Sequence, residues 1–425
     1  MSSKKNLLKQ KGPVHVPRLR FREFSGRWKP TSLEGLLEVY IERVPSETSL
    51  RVYSSSRTGL RPQDQYYDGS ELLNEGEYRV VPCDCFVYRH MSDDGVFKFN
   101  VNRTGAPIAV SKEYPVFRAQ GVYPEFLFQI LNESQEFARY AMAQKKGGTR
   151  TRLYFSTLCA WKPRLPSIQE QQKIAECLSS IDELIAAETR KLTALKTYKK
   201  GLMQQLFPAE GKAVPQLRIP AFRKAKDWKV CAFRELVSRS FYGTSSRTSD
   251  SGAYPVLRMG NMIDGSLDIG DLTFIDLTEG EFSKFELMSG DILLNRTNSI
   301  DLVGKISLFE LNGKYVAASY LVIFRLKRGV IAPEFLNYLL NSDSYQKRIR
   351  GLATRAISQA NINPTAFQEK LTVSFPSLPE QKSVSFFLSS IDNLIRAQAQ
   401  DIDALRIHKQ GLIQQLFPVV EEVKS

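Results

Sequence analysis

The chain has 425 residues, 42% of them hydrophobic and 11% aromatic, which is enough for two to four domains with buried cores and excludes a disordered chain. Its 59 Lys and Arg against 45 Asp and Glu give a net charge of +14, which favours a polyanion such as nucleic acid as partner, although ordinary solubility charge is the simpler interpretation. Its five scattered Cys and three His have no zinc-ligand spacing and form no plausible Ser-His-Asp set, so neither a metal centre nor such a hydrolase is expected.

The chain opens with a leader, and a similar leader returns before its second half. Residues 16–28 read VPRLRFREFSGRW and residues 214–228 read VPQLRIPAFRKAKDW. The module after the first leader contains short runs rich in β-branched and aromatic residues, such as Tyr78–Pro82 and Cys85–Tyr88, which predict strands. A helix is predicted to begin at Pro124–Leu127, because proline is favoured in the first turn of a helix.

A long helix is predicted after the first module, and it is itself repeated. Residues 165–208 and 375–418 align without a gap at an offset of 210 and share 22 of 44 residues. Apolar residues recur at alternating steps of four and three along both segments, a heptad pattern typical of a coiled coil. We predict that the two helices pair through a seam formed by Ile174, Leu178, Ile181, Ile185, Glu188, Leu192, Leu195 and Lys199 in the first and Val384, Leu388, Ile391, Ile395, Gln398, Ile402, Leu405 and Lys409 in the second.

Each seam contains polar residues at matching positions. An antiparallel pair related by a pseudo-twofold axis places Glu188 opposite Lys409 and Lys199 opposite Gln398, where buried polar groups would fix the register. The alternative is that these polar residues lie at a frayed edge. Apolar residues outside the seam, such as Leu394, predict that other helices cover them, either from the modules or from a partner protein.

The second module repeats the frame of the first but not its contents. Strands are predicted at Tyr254–Arg258, Asp291–Leu294, Lys305–Phe309 and Tyr315–Leu326, and a helix start at Pro333–Leu336. The two long helices carry six basic and five acidic residues, and four of each, so the positive surplus lies in the leaders and modules. Dissimilar contents in one duplicated frame are what a protein would need to read two different targets with one scaffold.

Polar and basic segments separate the predicted strands, and they contain the candidate DNA contacts. Arg, Asn, Gln, Ser and Thr on loops are the side chains that contact base edges and phosphates. Solvated turns are the simpler interpretation for any one of them: Arg57 would then belong to a flexible turn, and Arg258 would pair with a carboxylate. The candidate DNA-binding residues are Arg57, Arg61, Gln63, Arg89 and Arg103 in the first module and Arg247, Arg258, Asn261, Arg296 and Asn298 in the second.

Several motifs occur together and twice. The Pro-x-Leu-Arg leader with its Trp, the Pro-Ser-x-x-Glu-Gln segments at 166–171 and 376–381, LSSID and GLxQQLFP resemble the specificity (S) subunit of type I DNA restriction–modification systems over the whole chain. The resemblance implies two tandemly duplicated α/β (α+β) recognition domains, separated by two long α-helices that form an antiparallel coiled coil. The expected segments are 1–164 (leader and first target recognition domain), 165–208 (first spacer helix), 209–374 (second target recognition domain) and 375–425 (second spacer helix and C-terminal tail).

The same resemblance implies a non-catalytic subunit that binds double-stranded DNA in a system for DNA modification and phage defence. Each recognition domain would read one half of a bipartite, asymmetric target, and the paired helices would set the spacer and recruit two modification (methyltransferase) subunits. Those subunits would bind S-adenosylmethionine, and restriction subunits would use ATP and Mg, whereas this chain would bind no cofactor or metal. One departure from the repeat is Cys83, which stands where the second module has the turn glycine Gly290, so the geometry of that turn stays open.

Two other functions compete with this one. An enzyme acting alone is disfavoured, because the sequence lacks a Walker A motif and a nuclease carboxylate cluster, and Asn363–Ala366 matches a methyltransferase motif only superficially. A helical adaptor for protein partners alone would show no salt-dependent affinity for DNA. The polar N-terminus and a longest apolar run of only about ten residues predict a cytoplasmic protein without a membrane partner.

Overall fold

The computed structural model describes residues 17–66, 76–145, 149–209, 211–212, 214–299, 302–355 and 359–417. The chain divides into two compact units, residues 1–188 with 401–425 and residues 189–400. Each unit combines a mixed α/β module with segments of both long helices, in agreement with the predicted fold class. The predicted segments are continuous in the chain, whereas each long helix is shared between the two compact units. The reason is that the two halves of a helix pack into different hydrophobic cores.

The first unit is built on two antiparallel sheets, with four strands in the order β2-β11-β7-β9 and three in the order β10-β6-β3. Stacked and edge-on aromatic rings fill its core, including Phe86, Phe99 and Phe117. Its strands are β1 Lys29–Pro30, β2 Leu37–Tyr40, β3 Arg43–Pro45, β4 Tyr53–Ser56, β5 Gly59–Pro62, β6 Glu77–Val81, β7 Phe86–Tyr88, β8 Met91–Ser92, β9 Phe99–Val101, β10 Ile108–Ser111, β11 Val116–Ala119, β12 Thr151–Arg152 and β13 Arg164–Leu165. Its helices are α1 Gln63–Tyr66, α2 Pro124–Glu133, α3 Gln135–Ala143, α4 Phe155–Ala160 and the first part of α5 Ile168–Leu206.

The two strands predicted in the first module are confirmed as β6 and β7, and α2 begins at Pro124 as expected. The turn between the strands, which lacks the glycine of the second module, is made by Asp84 in the left-handed conformation at φ +62°. In the second module Gly290 has φ +95°. Aspartate is one of the few residues other than glycine that adopts this conformation readily, so both modules complete a left-handed turn here with different residues.

The second unit has a four-stranded antiparallel sheet in the order β15-β24-β20-β22 and a three-stranded sheet β19-β16-β23, in which β16 and β23 run parallel. A further small sheet has the order β21-β26-β25. Its strands are β14 Lys229–Ala232, β15 Val237–Tyr242, β16 Tyr254–Leu257, β17 Met262–Ile263, β18 Ser266–Leu267, β19 Thr273–Ile275, β20 Ile292–Asn295, β21 Thr297–Asn298, β22 Ile306–Leu308, β23 Val316–Ala317, β24 Leu321–Leu326, β25 Ala353–Arg355, β26 Ala360–Ile362 and β27 Thr372–Phe375. Its helices are α6 Glu279–Phe285, α7 Pro333–Leu340, α8 Asp343–Gly351, α9 Pro364–Lys370 and the first part of α10 Leu378–Leu416.

Three of the four strands predicted in the second module are confirmed as β16, β20 and β22, and α7 begins at Pro333. The prediction of one strand over Tyr315–Leu326 is wrong, because a turn divides this run into β23 and β24. The Leu321 N–H donates to the Ala318 carbonyl at 2.9 Å to close that turn. The two pieces join different sheets, a tertiary choice that an uninterrupted apolar run does not reveal.

In the first unit, the leader is bound to the long helix through the repeated Glu-Gln motif. The Arg20 guanidinium donates two hydrogen bonds of 2.7 Å to the Glu170 carboxylate, and Trp28 Nε1 donates a third at 3.2 Å. Glu170 is only 2% exposed. Its neighbour Gln171 accepts the N–H of Tyr123, the residue before α2, at 2.9 Å. Adjacent residues of the motif therefore join the leader and the module to the start of α5.

The second unit repeats these contacts with its own copies of the residues. Arg218 donates two hydrogen bonds of 2.7 Å to Glu380, which is 1% exposed, and Trp228 Nε1 donates at 3.4 Å. Gln381 accepts the N–H of Ala332, the residue before α7, at 2.8 Å. In both units the first and last strands of the module also pair with each other, β1 with β13 and β14 with β27. The repeated motifs thus encode the junction between a module and its helix.

Within each unit the two long helices run antiparallel, as predicted. In the first unit Leu178 and Leu416 share one core, and one turn further along α5 Asp182 forms an ion pair with Lys409, which lies earlier in α10. The second unit has the same direction of pairing, because α5 contributes Leu206 and then the earlier Lys199, while α10 contributes Val384 and then the later Asp392. The Lys–Asp distances are 2.7 Å and 2.6 Å.

The register of the helix pair is shifted from the predicted one. The carboxylate paired with Lys409 is that of Asp182, six residues before Glu188, and the carboxylate paired with Lys199 is that of Asp392, six residues before Gln398. Both aspartates follow a seam position directly, in the zone where charged residues flank an apolar stripe. The residues of the predicted seam are all buried or half-buried. Heptad spacing thus gave the inward face of each helix but not the shift of one helix along the other.

The apolar residues outside the seam are covered only in part. Ile413 is buried in the core of the first unit, and Met203 packs against the core of the second. Leu184, Phe387 and Leu394 are exposed. The modules therefore cover the ends of the helices and leave apolar side chains of their middle parts in contact with solvent.

Candidate nucleic-acid interface

A polar groove in the first unit lies beside the hairpin formed by β4 and β5. Arg57 is at the tip of this hairpin, next to Gly59, whose φ of +119° allows the tight reversal. The buried Asn100 of β9 donates hydrogen bonds to Ser55 Oγ at 2.8 Å and to the Ser56 carbonyl at 3.0 Å. Arg57 is therefore carried by a hairpin fastened to the main sheet and not by the flexible turn that the sequence left open.

Three cations line this groove: Arg57, Arg89 and Lys98. Arg57 forms an ion pair with Asp94 at 2.6 Å, and Lys98 lies 3.7 Å from Glu133. Cations beside hydroxyl groups are the combination that binds phosphate oxygens and base edges. The remaining polar lining comes from Ser55, Ser56, Thr58, Ser92 and Asp93. The structure thus brings two of the five predicted residues of this module, Arg57 and Arg89, into one groove.

Further basic and aromatic side chains next to this groove were missed by the sequence analysis. Strand β12, which carries Arg152, pairs with β8, and the preceding Arg150 forms an ion pair with Asp93 at 2.8 Å. The exposed Tyr154 stacks on the ring of His90 at 5.8 Å between centroids. Burial lowers the pKa of His90, so its imidazole is neutral at pH 7. The signal in the sequence was the alternation Arg-Thr-Arg-Leu-Tyr over residues 150–154.

The other three predicted residues of the first module lie elsewhere. Arg61 is exposed on β5. Arg103 lies 3.8 Å from Glu125 of α2 and 5.9 Å from the centre of the Phe128 ring, away from the groove lining. Gln63 is only 9% exposed at the base of the hairpin, and its backbone N–H donates to the Val52 carbonyl at 2.9 Å. Its burial favours a structural role, and the assignment of Gln63 as a DNA contact stays a prediction.

In the second unit, three of the predicted residues lie on neighbouring segments, Arg296 and Asn298 after β20 and Arg258 after β16. Arg296 follows β20, and its N–H donates to the carbonyl of Tyr320, in the turn between β23 and β24, at 3.2 Å. Asn298 Nδ2 lies 3.1 Å from the sulfur of Met259, which directly follows Arg258. Arg258, Arg296 and Asn298 thus lie on segments that follow strand ends. Binding residues are often carried on such connecting loops.

Asn261, one of the predicted DNA contacts, is buried and bonded to the backbone of its own loop, which favours a structural role. It is 4% exposed, and its Oδ1 accepts the N–H of Arg258 at 2.8 Å. Its Nδ2 donates to the carbonyls of Asp268 and Asp271 at 2.9 Å and 2.8 Å. Arg258 in turn pairs with the carboxylate of Asp271 at 2.9 Å, the alternative that the sequence left open for it. Asn261 therefore shapes the loop that presents Arg258.

An arginine and an exposed aromatic ring stand together at the same edge. The Arg296 guanidinium lies 5.1 Å from the centre of the Tyr242 ring, a cation–π distance. Arg247 is exposed on the loop that follows β15. Tyr242 was not among the predicted residues, although it opens the same polar segment as Arg247. A flat ring beside guanidinium groups offers both stacking and charge to a nucleic acid.

Neither a metal centre nor a membrane span is found in the part of the chain that the structure describes. No three His, Cys, Asp or Glu side chains among these residues are grouped so that they could hold a metal ion. No helix within the same ranges has the length and apolar character needed to cross a bilayer.

Comparison with known proteins now decides the family. Residues 96–197 and 225–406 match the family described as the type I restriction modification DNA specificity domain. The chain belongs to this family. The two matched segments fall one in each half of the duplicated sequence, so both copies carry the resemblance that the motifs suggested.

Related proteins and structures agree with this membership. The MjaVIII specificity subunit of a type I restriction enzyme from Methanocaldococcus jannaschii is 28% identical over 272 residues, which cover 61% of this chain and 62% of the relative. The EcoKI specificity subunit of Escherichia coli is 23% identical over 228 residues, covering 52% and 48%. The chain thus spans about half the length of the curated relatives it matches.

Two solved structures share the fold across nearly the whole chain. The S subunit of a type I restriction–modification system from M. genitalium has a TM-score of 0.54 at 12% identity, covering 96% of this chain and all of that one. A chain from a structure of complex assembly and conformational transition in a type I R-M system has a TM-score of 0.57 at 14% identity, covering 93% and 98%. At these identities the likeness concerns the fold alone.

Proposed function

We propose that this chain is the non-catalytic DNA sequence-specificity subunit of a type I restriction–modification complex. The observation that carries the proposal is the duplicated frame, which holds two different sets of basic and aromatic side chains at the edges of its sheets. Arg89, directly after β7, and Arg296, directly after β20, occupy the same place in the repeated frame, whereas Arg57 on the β4–β5 hairpin and Arg258 beside Asp271 lie in different local structures. Two unlike reading surfaces on one repeated frame suit a target made of two unlike halves.

Each unit reads one half of a bipartite, asymmetric double-stranded DNA target, and the long helices set the number of unread base pairs between the halves. Each helix has 39 residues and is about 58 Å long at 1.5 Å per residue. That length corresponds to about 17 base pairs at roughly 34 Å per ten. The near-neutral charge of the helices, beside the basic modules, supports a spacing role for the former and a binding role for the latter.

Two modification subunits bind along the helices and supply the methyltransferase chemistry with S-adenosylmethionine. Restriction subunits join the complex and use ATP with Mg. The support on the protein side is the set of exposed apolar residues on α10, where Phe386 is 77% and Leu394 58% exposed. Such residues on an otherwise charged helix favour a protein partner. The chain itself holds neither cofactor nor metal in this scheme.

The deciding experiment compares methylated motifs in genomic DNA from cells with and without this chain. The expected result is one bipartite motif that disappears when the chain is removed. An unchanged set of motifs would contradict the proposal. Purified chain alone, incubated with DNA and S-adenosylmethionine, should transfer no methyl group; methyl transfer by the chain alone would favour an enzyme instead.

Exchange of one module tests whether reading is modular. Replacing residues 230–345 with the corresponding part of another family member should change one half of the motif and leave the other half and the spacer intact. A change in both halves would show that the units do not read independently.

Insertion of one heptad into each long helix tests the spacer role. The same bases should then be read with a longer gap between them, because a heptad adds about 10 Å. A motif with an unchanged gap would contradict the idea that helix length measures the spacer.

A further inference from the structure

The turn after β8 carries two adjacent carboxylates, and each pairs with an arginine at the groove of the first unit. Asp94 lies 2.6 Å from Arg57, and Asp93 lies 2.8 Å from Arg150. All four side chains are substantially exposed to solvent. Exposed ion pairs add little to folding stability, so their position beside the candidate DNA groove calls for a different explanation.

The Asp94 carboxylate is held in place by its own turn. It accepts hydrogen bonds from Ser92 Oγ at 2.8 Å and from the Val96 N–H at 3.1 Å, and Gly95 between them has φ +79°. The hydrogen bonds from Arg57, Ser92 and Val96 keep the pKa of Asp94 well below its usual range, so it is charged at neutral pH. A fixed negative charge therefore stands at one side of the Arg57 guanidinium.

A fixed carboxylate changes what an arginine can bind. A DNA phosphate that approaches Arg57 also approaches Asp94, and the like charges repel. The edge of guanine carries no net charge and offers two acceptors to the N–H groups that Arg57 has left. Arg89 lines the same groove, and among the residues described here no carboxylate lies within ion-pair distance of it. Arg89 is therefore suited to phosphate and Arg57 to a base.

We propose that Asp94 is a specificity-determining residue of the first unit, which orients Arg57 toward a base edge and opposes phosphate contact at that point. The proposal rests on the proposed function, since it assigns a role within DNA reading. Asp94 acts through Arg57 and needs no contact with DNA itself. Discrimination by a built-in repulsion is a general way to gain specificity without gaining affinity.

The test is Asp94→Asn in the full-length chain, by selection of bound duplexes from a randomised DNA library and by affinity for a random-sequence duplex. The variant should lose preference at one base position of one half-site by about tenfold. Its affinity for random DNA should rise about fivefold near 0.1 M salt, and the slope of log K against log salt should steepen by about 0.9, as expected for one added phosphate contact. The half-site read by the second unit should be unchanged and serves as an internal reference.

Two further variants separate this role from a structural or general charge effect. Asp403→Asn removes the same charge from an exposed arginine pair on α10, at 3.1 Å, and should leave the selected motif unchanged. In an Arg57→Ala background, Asp94→Asn should have no further effect on base preference, because its route of action is gone.

The outcomes distinguish the proposal from the function on which it rests. If the unaltered chain selects no sequence and binds DNA without salt dependence, the proposed function fails. If it selects a bipartite motif and Asp94→Asn selects the same motif with equal preference, the role of Asp94 is refuted while the function stands. Persistence of the Asp94→Asn effect in the Arg57→Ala background would also refute it.

Discussion

The first and second units are joined to their long helices by the same contact, a buried glutamate that binds an arginine and a tryptophan of the leader, whereas their loops carry different side chains at the sheet edges. The sequence identities of the two halves coincide with this junction and with the helices. The modules share a frame, but a β-hairpin presents Arg57 in one, and an Asn261-shaped loop presents Arg258 in the other. The comparison teaches that the duplicated parts form the junction between leader, module and helix, and that the diverged parts form the loops to which the proposed function assigns DNA binding.

The helix pairing also differs between the units at one point. Asp182 is near Gln129 in the first unit, at 3.5 Å, whereas Asp392 accepts a hydrogen bond from the Tyr338 hydroxyl at 2.7 Å in the second. The ammonium group of Lys199 also lies 5.2 Å from the centre of the Tyr338 ring. Lys199 therefore contacts an aromatic ring as well as a carboxylate, so we expect it to stabilise the helix pair more than Lys409 does.

The largest effect is expected at the shared junction. Glu170→Ala should destabilise the first unit, and Glu380→Ala the second, each by about 3–5 kcal/mol, because removal of a buried carboxylate leaves an arginine and an indole N–H without their partner. Urea unfolding, monitored by hydrogen exchange in each unit, measures the two losses of free energy of unfolding. Glu77→Ala, which removes an exposed pair with Arg43, should cost under about 1 kcal/mol. If all three variants lowered the free energy of unfolding by the same small amount, the inference that the junction stabilises each unit would be wrong.

The next effect distinguishes the two candidate DNA-binding surfaces. Arg57→Ala and Arg296→Ala should each weaken binding of the target by about 1–3 kcal/mol and relax base preference in different halves of the motif. Selection of bound duplexes with the full chain measures both. If both variants lost base preference in the same half, or lost it uniformly at every position, the inference that the two units read different halves would be wrong.

A smaller effect is expected at the helix pair. Lys199→Met removes an ion pair and a cation–π contact and should cost about 1–2 kcal/mol, whereas Lys409→Met removes an ion pair whose aspartate is 44% exposed and should cost under about 1 kcal/mol. Replacing Tyr338 with Phe tests the source of the difference, since it removes the hydroxyl but keeps the ring. If Lys409→Met proved the costlier change, the inequality inferred between the copies would be wrong.

The smallest effect concerns a half-buried carboxyl of the first unit. Burial raises the pKa of Glu136, which lines a cavity with Trp161 and Arg164, so the folded unit binds the proton more tightly than the unfolded chain. The free energy of unfolding should therefore fall as pH rises from the ordinary pKa of Glu to the raised one. Glu136→Gln should stabilise the unit by under about 1 kcal/mol at pH 7 and by nothing below the ordinary pKa. A gain independent of pH would contradict this origin.

Much of the frame could be predicted from the sequence. Because repeated identities and heptad spacing are local, they identified two modules, two long helices and the face of each helix that points inward. The helix starts at Pro124 and Pro333 followed from the fixed φ of proline in a first turn. The family resemblance rested on the same repeated residues, which the structure places at the junctions between leader, module and helix.

The candidate site could be predicted only in part. Arg57 and Arg89 share a groove, but Gln63 and Asn261 are buried, because a polar residue in a loop can hydrogen-bond backbone groups as readily as it can face solvent. Tyr154 was missed, since an isolated aromatic residue in the sequence does not reveal whether its ring is exposed.

The sequence by itself determined the duplication, the mixed α/β character of the modules and the apolar face of each long helix, because these follow from repetition and periodicity along the chain, whereas the antiparallel sense of the helices was implied by the family resemblance. Tertiary structure decided that Lys409 pairs with Asp182, that the run after Tyr315 divides between two sheets, and that Asp94 stands beside Arg57. Each of these depends on which segments contact each other in the folded chain. The interaction energy of such contacts depends on distance and burial, which local sequence patterns do not contain.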